Sequence, residues 1–338
     1  MDSLLIKEYR AGIMECAHHG HISIINDQGQ VEASAGDPDF VTFTRSAAKP
    51  LQAIPAIRGG IVSYYGLTEK EIAIMTASHL AQPDHVEVLE SIMLKTGLTE
   101  KELVCAPSYP LDDENRERVL RHEGSKRRVY HNCSGKHLGV LAYCKMKGYP
   151  LEGYEEPEHP VQQEIIGTVA MMCGMEPQQI HLGTDGCGFP VFGLPLSAMA
   201  AAYLKLACPE LIADEATREA VQIITRAMNT YPQMVGGSGR VDSLILRDPN
   251  IVAKGGFKGV YCFGLKKERL GVALKVLDGS EEEWGWIVES ILNQIGYGNK
   301  ELMEQMNKAF THHIYNDAGK HVGHAEAVFQ LHEGSAAV

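Results

Sequence analysis

The sequence has few of the features that would take it outside the globular class. Basic residues are in deficit: 31 Lys and Arg against 43 Asp and Glu leave a formal charge of −12 over 338 residues, which argues against a nucleic-acid partner. It has no internal repeat and no low-complexity linker, and 44% hydrophobic residues supply ample material for a core. The start, MDSLLIKEYR, has an acidic second residue and three apolar ones, where a secretory signal has a basic start and about 7–15 apolar residues. A cytoplasmic protein is expected. Long apolar runs are missing too. Between Asp185 and Lys205 lie 19 uncharged residues, GCGFPVFGLPLSAMAAAYL, long enough for a membrane span. Three glycines and two prolines break that window, so it reads as a loop, a short buried strand and a helix start, with no membrane partner.

A disulfide framework is not indicated. Eight cysteines, at 16, 105, 133, 144, 173, 187, 208 and 262, occur in a chain neither small nor visibly secreted, and read as free buried thiols. A metal site is the sharper reading for those beside other ligand types, which are Cys133 and Cys187. Glycine is plentiful, 34 of 338, above the usual ~7%, as expected of many tight turns.

The length fits one large domain or two smaller ones. The first 45 residues alternate around turn signals at Gly20 and Gln28-Gly29 and predict a small antiparallel meander. From Ala47 to about 175 the period becomes helical, with starts of capping-box form at Thr68-x-x-Glu71 and Thr99-x-x-Glu102. Further helices are predicted at about 158–173, 209–229 and 282–295, and late strands in ILRDPNIVAKGG, GVYCFGL and GVALKVLDG. A single domain over 1–338 is expected, in the mixed α/β (α+β) class. An antiparallel sheet from both chain ends (1–45 and about 181–323) carries helices on its faces, with a mostly helical part at about 47–180. Tyr149 to Pro160, Pro-rich and acidic, predicts a surface loop, and the chain is expected to fray after about Gln330.

Chemistry-bearing residues concentrate in a few segments. In TFTRSAAKPLQAIP, Ser46 and Lys49 stand three apart at a helix start and share a face. A serine hydroxyl becomes nucleophilic when a base takes its proton, and lysine serves once desolvation or positive neighbours lower its pKa. The tetrapeptide alone is common by chance. Ser78 and His79 lie where a helix gives way to a loop, and either could be structural. Lys254 precedes Gly255-Gly256 on a predicted strand end, and Lys-x-Gly beside Ser-x-x-Lys is a pattern of penicillin-recognising serine enzymes. HNCSGKH offers Cys133 and Lys136, and DGCGFPVF offers Asp185 and Cys187. Two cysteines 54 apart are not a zinc-finger spacing, and buried thiols beside Gly turns are commonplace. The Gly-Gly-Ser-Gly loop ending in Arg240 and Asp242 lets amides approach an anion but is not a P-loop.

Taken in order, RSAAKP (45–50), ASH (77–79), HNCSGKH (131–137), DGCGFPVF (185–192), GSGRVD (237–242) and KGG (254–256) resemble the Rhizobium etli-type L-asparaginases, in register from about Tyr9 to Gly323. The resemblance implies a fold like serine β-lactamases and glutaminases, hydrolysis of L-asparagine to L-aspartate and ammonia, a homodimer, and bound zinc. It places two Ser-Lys pairs on Ser46 with Lys49 and Ser78 with Lys254, and zinc ligands on Cys133, Lys136 and Cys187. Arg45, His79 and Asp185 fall where substrate is held or the site ordered. Two segments depart from the pattern. After His79 the family usually has Ser-Gly-Glu-Pro, and this chain has Leu80, Ala81, Gln82, Pro83. YPQMVGGSGRVDS replaces a more usual His-Pro and Gly-Thr-Gly-Arg-Phe-Asp. A glutaminase or another amidase would use the same residues. A noncatalytic zinc-binding amino-acid sensor would keep the ligands and tolerate loss of Ser46 or Lys49.

Overall fold

The computed structural model describes residues 1–122 and 124–334. Both chain ends supply strands: β1 (Ser3–Arg10), β2 (Ile13–Asn26), β3 (Val31–Ala35) and β4 (Val41–Phe43), then β5 (His181–Thr184), β6 (Pro190–Pro195), β7 (Ile251–Gly255), β8 (Val260–Leu265), β9 (Leu270–Val276), β10 (His313–Tyr315), β11 (His321–Ala327) and β12 (His332–Glu333). The main sheet runs β10-β11-β1-β2-β9-β8-β7, with β3 joined to β2 and β12 to β3, and every pairing is antiparallel. A small sheet, β4-β6-β5, lies beside it. This is the architecture expected from strands at both ends around a helical middle.

Strands β7 and β8 are buried along their whole length, and β8 reads as a continuous apolar run. Helix Leu196–Ala207 packs on β2, β8 and β9, and a cross-strand pair of glycines makes this possible. A Cβ on Gly264 would sit 2.2 Å from Tyr203 O, and one on Gly271 1.9 Å from Ala200 O. Side-chain alternation puts Gly255 on the other face, where Trp284 at the start of helix Trp284–Gln294 covers it.

Several elements differ from their sequence reading. Gly20 is no turn but lies inside β2, where a Cβ would meet Lys275 O at 2.1 Å; the turn between β1 and β2 is Ala11-Gly12, both at positive φ. Thr68 caps helix Glu69–Met75 through a full capping box. The identical box at Thr99 closes only a 3-10 turn, Glu100–Glu102, because the chain turns extended at Leu103. The loop 149–160 does connect two helices, Ser134–Lys147 and Pro160–Cys173, yet its Tyr154 is wholly buried. Beyond Gln330 the chain pairs as β12 with β3 rather than fraying, and residues 335–338 lie outside those described. No helix is long and apolar enough to cross a membrane among the described residues.

Candidate active site

Ser46 sits in a 3-10 turn, Arg45–Ala48, that runs directly into helix Lys49–Arg58 with Pro50 in its first turn. Proline suits that position because its missing N–H has no intrahelical partner there. The turn is clamped from two sides: Thr44 N–H donates to Phe192 O of β6 at 2.8 Å, and Tyr203 Oη donates to Ala47 O at 2.7 Å. Arg45 is held at φ 48, a left-handed conformation costly for a side chain with a Cβ. Its guanidinium donates to Asp185 Oδ1 through Nε at 3.0 Å and Nη2 at 2.6 Å. Arg45 and Asp185, 140 positions apart in sequence, are therefore one half-buried ion pair, the acid held below its ordinary range by Lys136 and Arg45 against the opposing effect of burial.

Lys49 is 1% exposed. Its Nζ reaches Ala77 O, Ser78 Oγ at 3.1 Å and Asn132 O at 3.3 Å. Burial is the main cause that brings its pKa down to about 8; the Lys254 and Lys136 ammonium groups add to the shift, and the Cys133 thiolate opposes it. As an ammonium, Nζ donates to all three oxygens. Once one proton is lost, two N–H groups remain for the carbonyls and the lone pair faces the Ser78 hydroxyl. Ser46 Oγ makes no hydrogen bond to any described residue.

Ser78 follows helix Glu69–Met75, and its N–H donates to Val235 O at 2.9 Å. The segment lies against the start of helix Ser134–Lys147, where a Cβ on Gly135 would stand 2.1 Å from Ile74 O. That contact admits no side chain and brings Asn132 and Cys133 up to Lys49. His79 has both ring nitrogens engaged internally. Ala81 N–H donates to Nδ1 at 3.2 Å, so Nε2–H donates to Ser134 Oγ at 2.9 Å, whose hydroxyl donates to Val129 O. Burial drives His79 well below the ordinary imidazole range. Expected near substrate, it ties the loop to the helix.

Lys254, at the end of β7, is not bonded to Ser78. It forms a buried ion pair with Asp242 Oδ2 at 2.8 Å and donates to Gly255 O at 2.7 Å. Asp242 Oδ1 accepts from Gly255 N–H at 2.8 Å. Asp242 stands in the GSGRVD segment, but no sequence signal links it to a lysine twelve positions later; only the folded β7 edge brings them together. A cleft of about 290 Å³ opens on this side, lined by Arg240, Asp242, Lys254, Glu281, Trp284 and Phe310 among others. Ser46, Lys49 and Ser78 do not line it.

Cys133, Lys136 and Cys187 converge beside Lys49. Lys136 Nζ donates to Cys187 Sγ at 3.1 Å and stands 4.1 Å over the Phe189 ring. The Cys133 thiol is held well below its ordinary pKa, first by its hydrogen bond with Cys187 and then by Lys49 and Lys136, against burial. Burial opposes charge on Lys136, but the sulfurs of Cys187 and Cys133 outweigh it and keep the proton on. Two thiolates and an amine are a donor set for a borderline-soft dication, which would displace the lysine proton. Next to them, buried His137 bonds Tyr154 Oη at 2.6 Å through Nδ1, while Nε2 has no partner among the described residues.

The two segments that depart from the family pattern touch each other. Leu80 lies over Gly237, where a Cβ would meet its Cγ at 2.7 Å. Gln82 Nε2 donates to Ser238 Oγ and to Asp112 Oδ2, each at 3.1 Å, and Ser238 N–H donates to Gln82 Oε1 at 3.2 Å.

A model of the L-asparaginase II family matches residues 6–327. No curated protein sequence matches the chain. Solved structures with a similar chain path include a protein of beta-lactamase type from Bacteroides dorei, 15% identical, covering 81% of this chain and 93% of that one at a TM-score of 0.43. A beta-lactamase from Mycobacterium bovis is 13% identical over 81% and 94%, at 0.41. A D-alanine carboxypeptidase from Burkholderia cenocepacia is 12% identical over 81% and 93%, at 0.38.

Proposed function

The chain belongs to the L-asparaginase II family, and from that premise we propose that it hydrolyses L-asparagine to L-aspartate and ammonia through a lysine-activated serine. The observation that carries this reading is Lys49: buried, with its pKa brought down to about 8, and surrounded by neutral oxygens that accept either protonation state. Ser46 makes the attack, since its Oγ has no internal partner and stands one turn before Lys49. The Ser46 Oγ–carbon bond forms, the proton passes to Lys49 by way of Ser78, and the amide C–N bond breaks with that proton leaving on ammonia. Water then cleaves the ester and frees the acid. Lys254, paired with Asp242, contributes fixed positive charge at the cleft. Arg45 and Asp185 order the substrate's α-groups.

Cys133, Lys136 and Cys187 would hold a zinc ion, which would supply Lewis acidity beside the serines. We carry over a homodimer as part of the proposal, to be tested by solution molar mass.

A second reading exchanges the serines, because it is the Ser78 hydroxyl that meets Lys49 at 3.1 Å. Ammonia release from L-asparagine and L-glutamine, measured in parallel with Ser46→Ala and Ser78→Ala, decides. Loss of a positioned nucleophile is expected to cost several orders of magnitude, beyond the ~10²–10⁴-fold of a general base alone. Ser46→Ala retaining a tenth of wild-type turnover while Ser78→Ala is inactive gives the attack to Ser78. Release from neither amide by the wild type overturns the asparaginase assignment and points to the Leu80–Gln82 wall as having redirected the site to a different amide. Zinc is tested by metal analysis of the purified protein; full activity in chelator with no stoichiometric zinc removes it from the site.

A further inference from the structure

Away from the lysines and serines, at the β1–β2 edge of the main sheet, a group of donor side chains has no part in the mechanism above. Glu8 on β1 stands directly opposite Cys16 on β2, and His18, two residues on, shares their face. Glu8, Cys16 and His18 each bring one donor atom, and the three lie within 4.8 Å of one another. The imidazole is oriented by carboxylates on both sides. Nδ1 is 2.6 Å from Asp278 Oδ2, and Nε2 is 3.0 Å from Glu8 Oε1 and 3.3 Å from Glu283 Oε1.

This arrangement demands a cation. A neutral ring that donates its Nδ1–H to Asp278 turns the Nε2 lone pair toward two carboxylates, which repel it unless positive charge lies between them. A proton on Nε2 supplies part of the need. The proton leaves two groups unused. Glu283 is 1% exposed, and although its Oε1 accepts from Ser280 Oγ at 2.9 Å, its Oε2 has no partner among the described residues, a state that leaves the desolvation of a buried acceptor uncompensated. The Cys16 thiol likewise makes no hydrogen bond to any described residue.

We propose that Glu8, Cys16 and His18 form a second divalent-metal site of zinc type, separate from Cys133, Lys136 and Cys187. Donors around tetrahedral zinc stand about 3.3–3.5 Å apart; Nε2 lies 3.0 Å from Glu8 Oε1, and all three donor atoms lie within 4.8 Å of one another. A mixed imidazole, thiolate and carboxylate set selects zinc-class ions over Mg²⁺ or Ca²⁺. Asp278 takes the outer-shell place, fixing the histidine tautomer from the far side.

The test reads Cys16 directly and does not depend on the other site. The full chain is stripped of metal, divided, and alkylated with iodoacetamide with and without Zn²⁺, and the Cys16 peptide is quantified by mass spectrometry. Saturating Zn²⁺ is expected to slow Cys16 modification by about tenfold or more, Mg²⁺ to leave it unchanged, and His18→Ala to abolish the protection. Zinc bound per chain is expected to fall by one equivalent in Cys16→Ser. Equal Cys16 alkylation with and without Zn²⁺ in the wild type overturns the site, as does protection that survives in His18→Ala. The wild-type comparison stands whether or not a variant folds.

Discussion

Two lysines, Lys49 and Lys254, are buried to the same degree, 1% exposed each, and their surroundings prepare them for opposite tasks. Lys49 faces two backbone carbonyls and a hydroxyl, all neutral. Lys254 faces the Asp242 carboxylate. Desolvation pushes Lys49 toward neutrality, whereas Lys254 has a carboxylate partner at 2.8 Å. The chemistry of the partner, more than the depth of burial, therefore separates a candidate base from a fixed cation. It also gives Lys254 a second effect, since its positive charge helps hold the pKa of Lys49 down.

The sharpest way to break this contrast is to remove the amine of Lys49. Lys49→Met is expected to lower kcat/KM for ammonia release by about 10²–10⁴-fold, the worth of a general base. In the wild type the active form carries neutral Lys49, so kcat/KM should rise about tenfold per pH unit below the inflection and level off above it, with that inflection near the Lys49 pKa of about 8. Lys254→Met removes a positive neighbour and should move the inflection upward. A flat profile through that range, or a Lys49→Met variant within about threefold of wild type, removes Lys49 as the base.

Next in size is the loss of the carboxylate that distinguishes Lys254. Asp242→Asn keeps an acceptor for the Gly255 N–H and takes away only the charge. Breaking a buried pair leaves an uncompensated ammonium and costs about 3–5 kcal/mol; the check is the denaturant midpoint at fixed slope. Asp242→Asn combined with Lys254→Met should recover most of that loss, because no unpaired charge remains. A single variant as stable as wild type would mean that the ion pair contributes nothing and that the two lysines differ less than their partners suggest.

How much of this was legible in the sequence follows from what each signal depends on. Helix starts and strand ends depend on neighbours, so Thr68-x-x-Glu71, the Ser46–Lys49 turn and the Lys254 strand end all fall where the pattern puts them. Partnerships across the fold depend on tertiary approach and left no local trace. Lys254 was assigned to Ser78 through family resemblance, and its bonded partner in the fold is Asp242. His79 looked like a site residue and serves as a tie between loop and helix. Gly20 misled for a related reason: a glycine required by close approach of Lys275 O looks in sequence the same as one required by a turn. The Leu80–Gln82 and Gly237–Ser238 segments read as two separate departures from a pattern, and their contact makes them one altered wall.

That wall offers the smallest and most local test, on the loop that follows the Ala77 carbonyl and Ser78 hydroxyl facing Lys49. Ala81 is held at φ 56, where a Cβ costs about 1 kcal/mol relative to glycine. The conformation persists because the chain is fixed on both sides: Ala81 N–H donates to His79 Nδ1, and Ala81 O accepts from Asn115 Nδ2. Ala81→Gly should relieve the strain and raise stability by about 0.5–1 kcal/mol, less whatever is lost to the greater freedom of the unfolded glycine chain; the measurement is again the denaturant midpoint. Because both hydrogen bonds are made by the backbone, the Lys49 inflection should not move. A lower midpoint would mean that the methyl group of Ala81, wholly buried, contributes more by packing than its backbone conformation costs, so that alanine at this position acts as a packing element of the wall that Leu80 and Gly237 form.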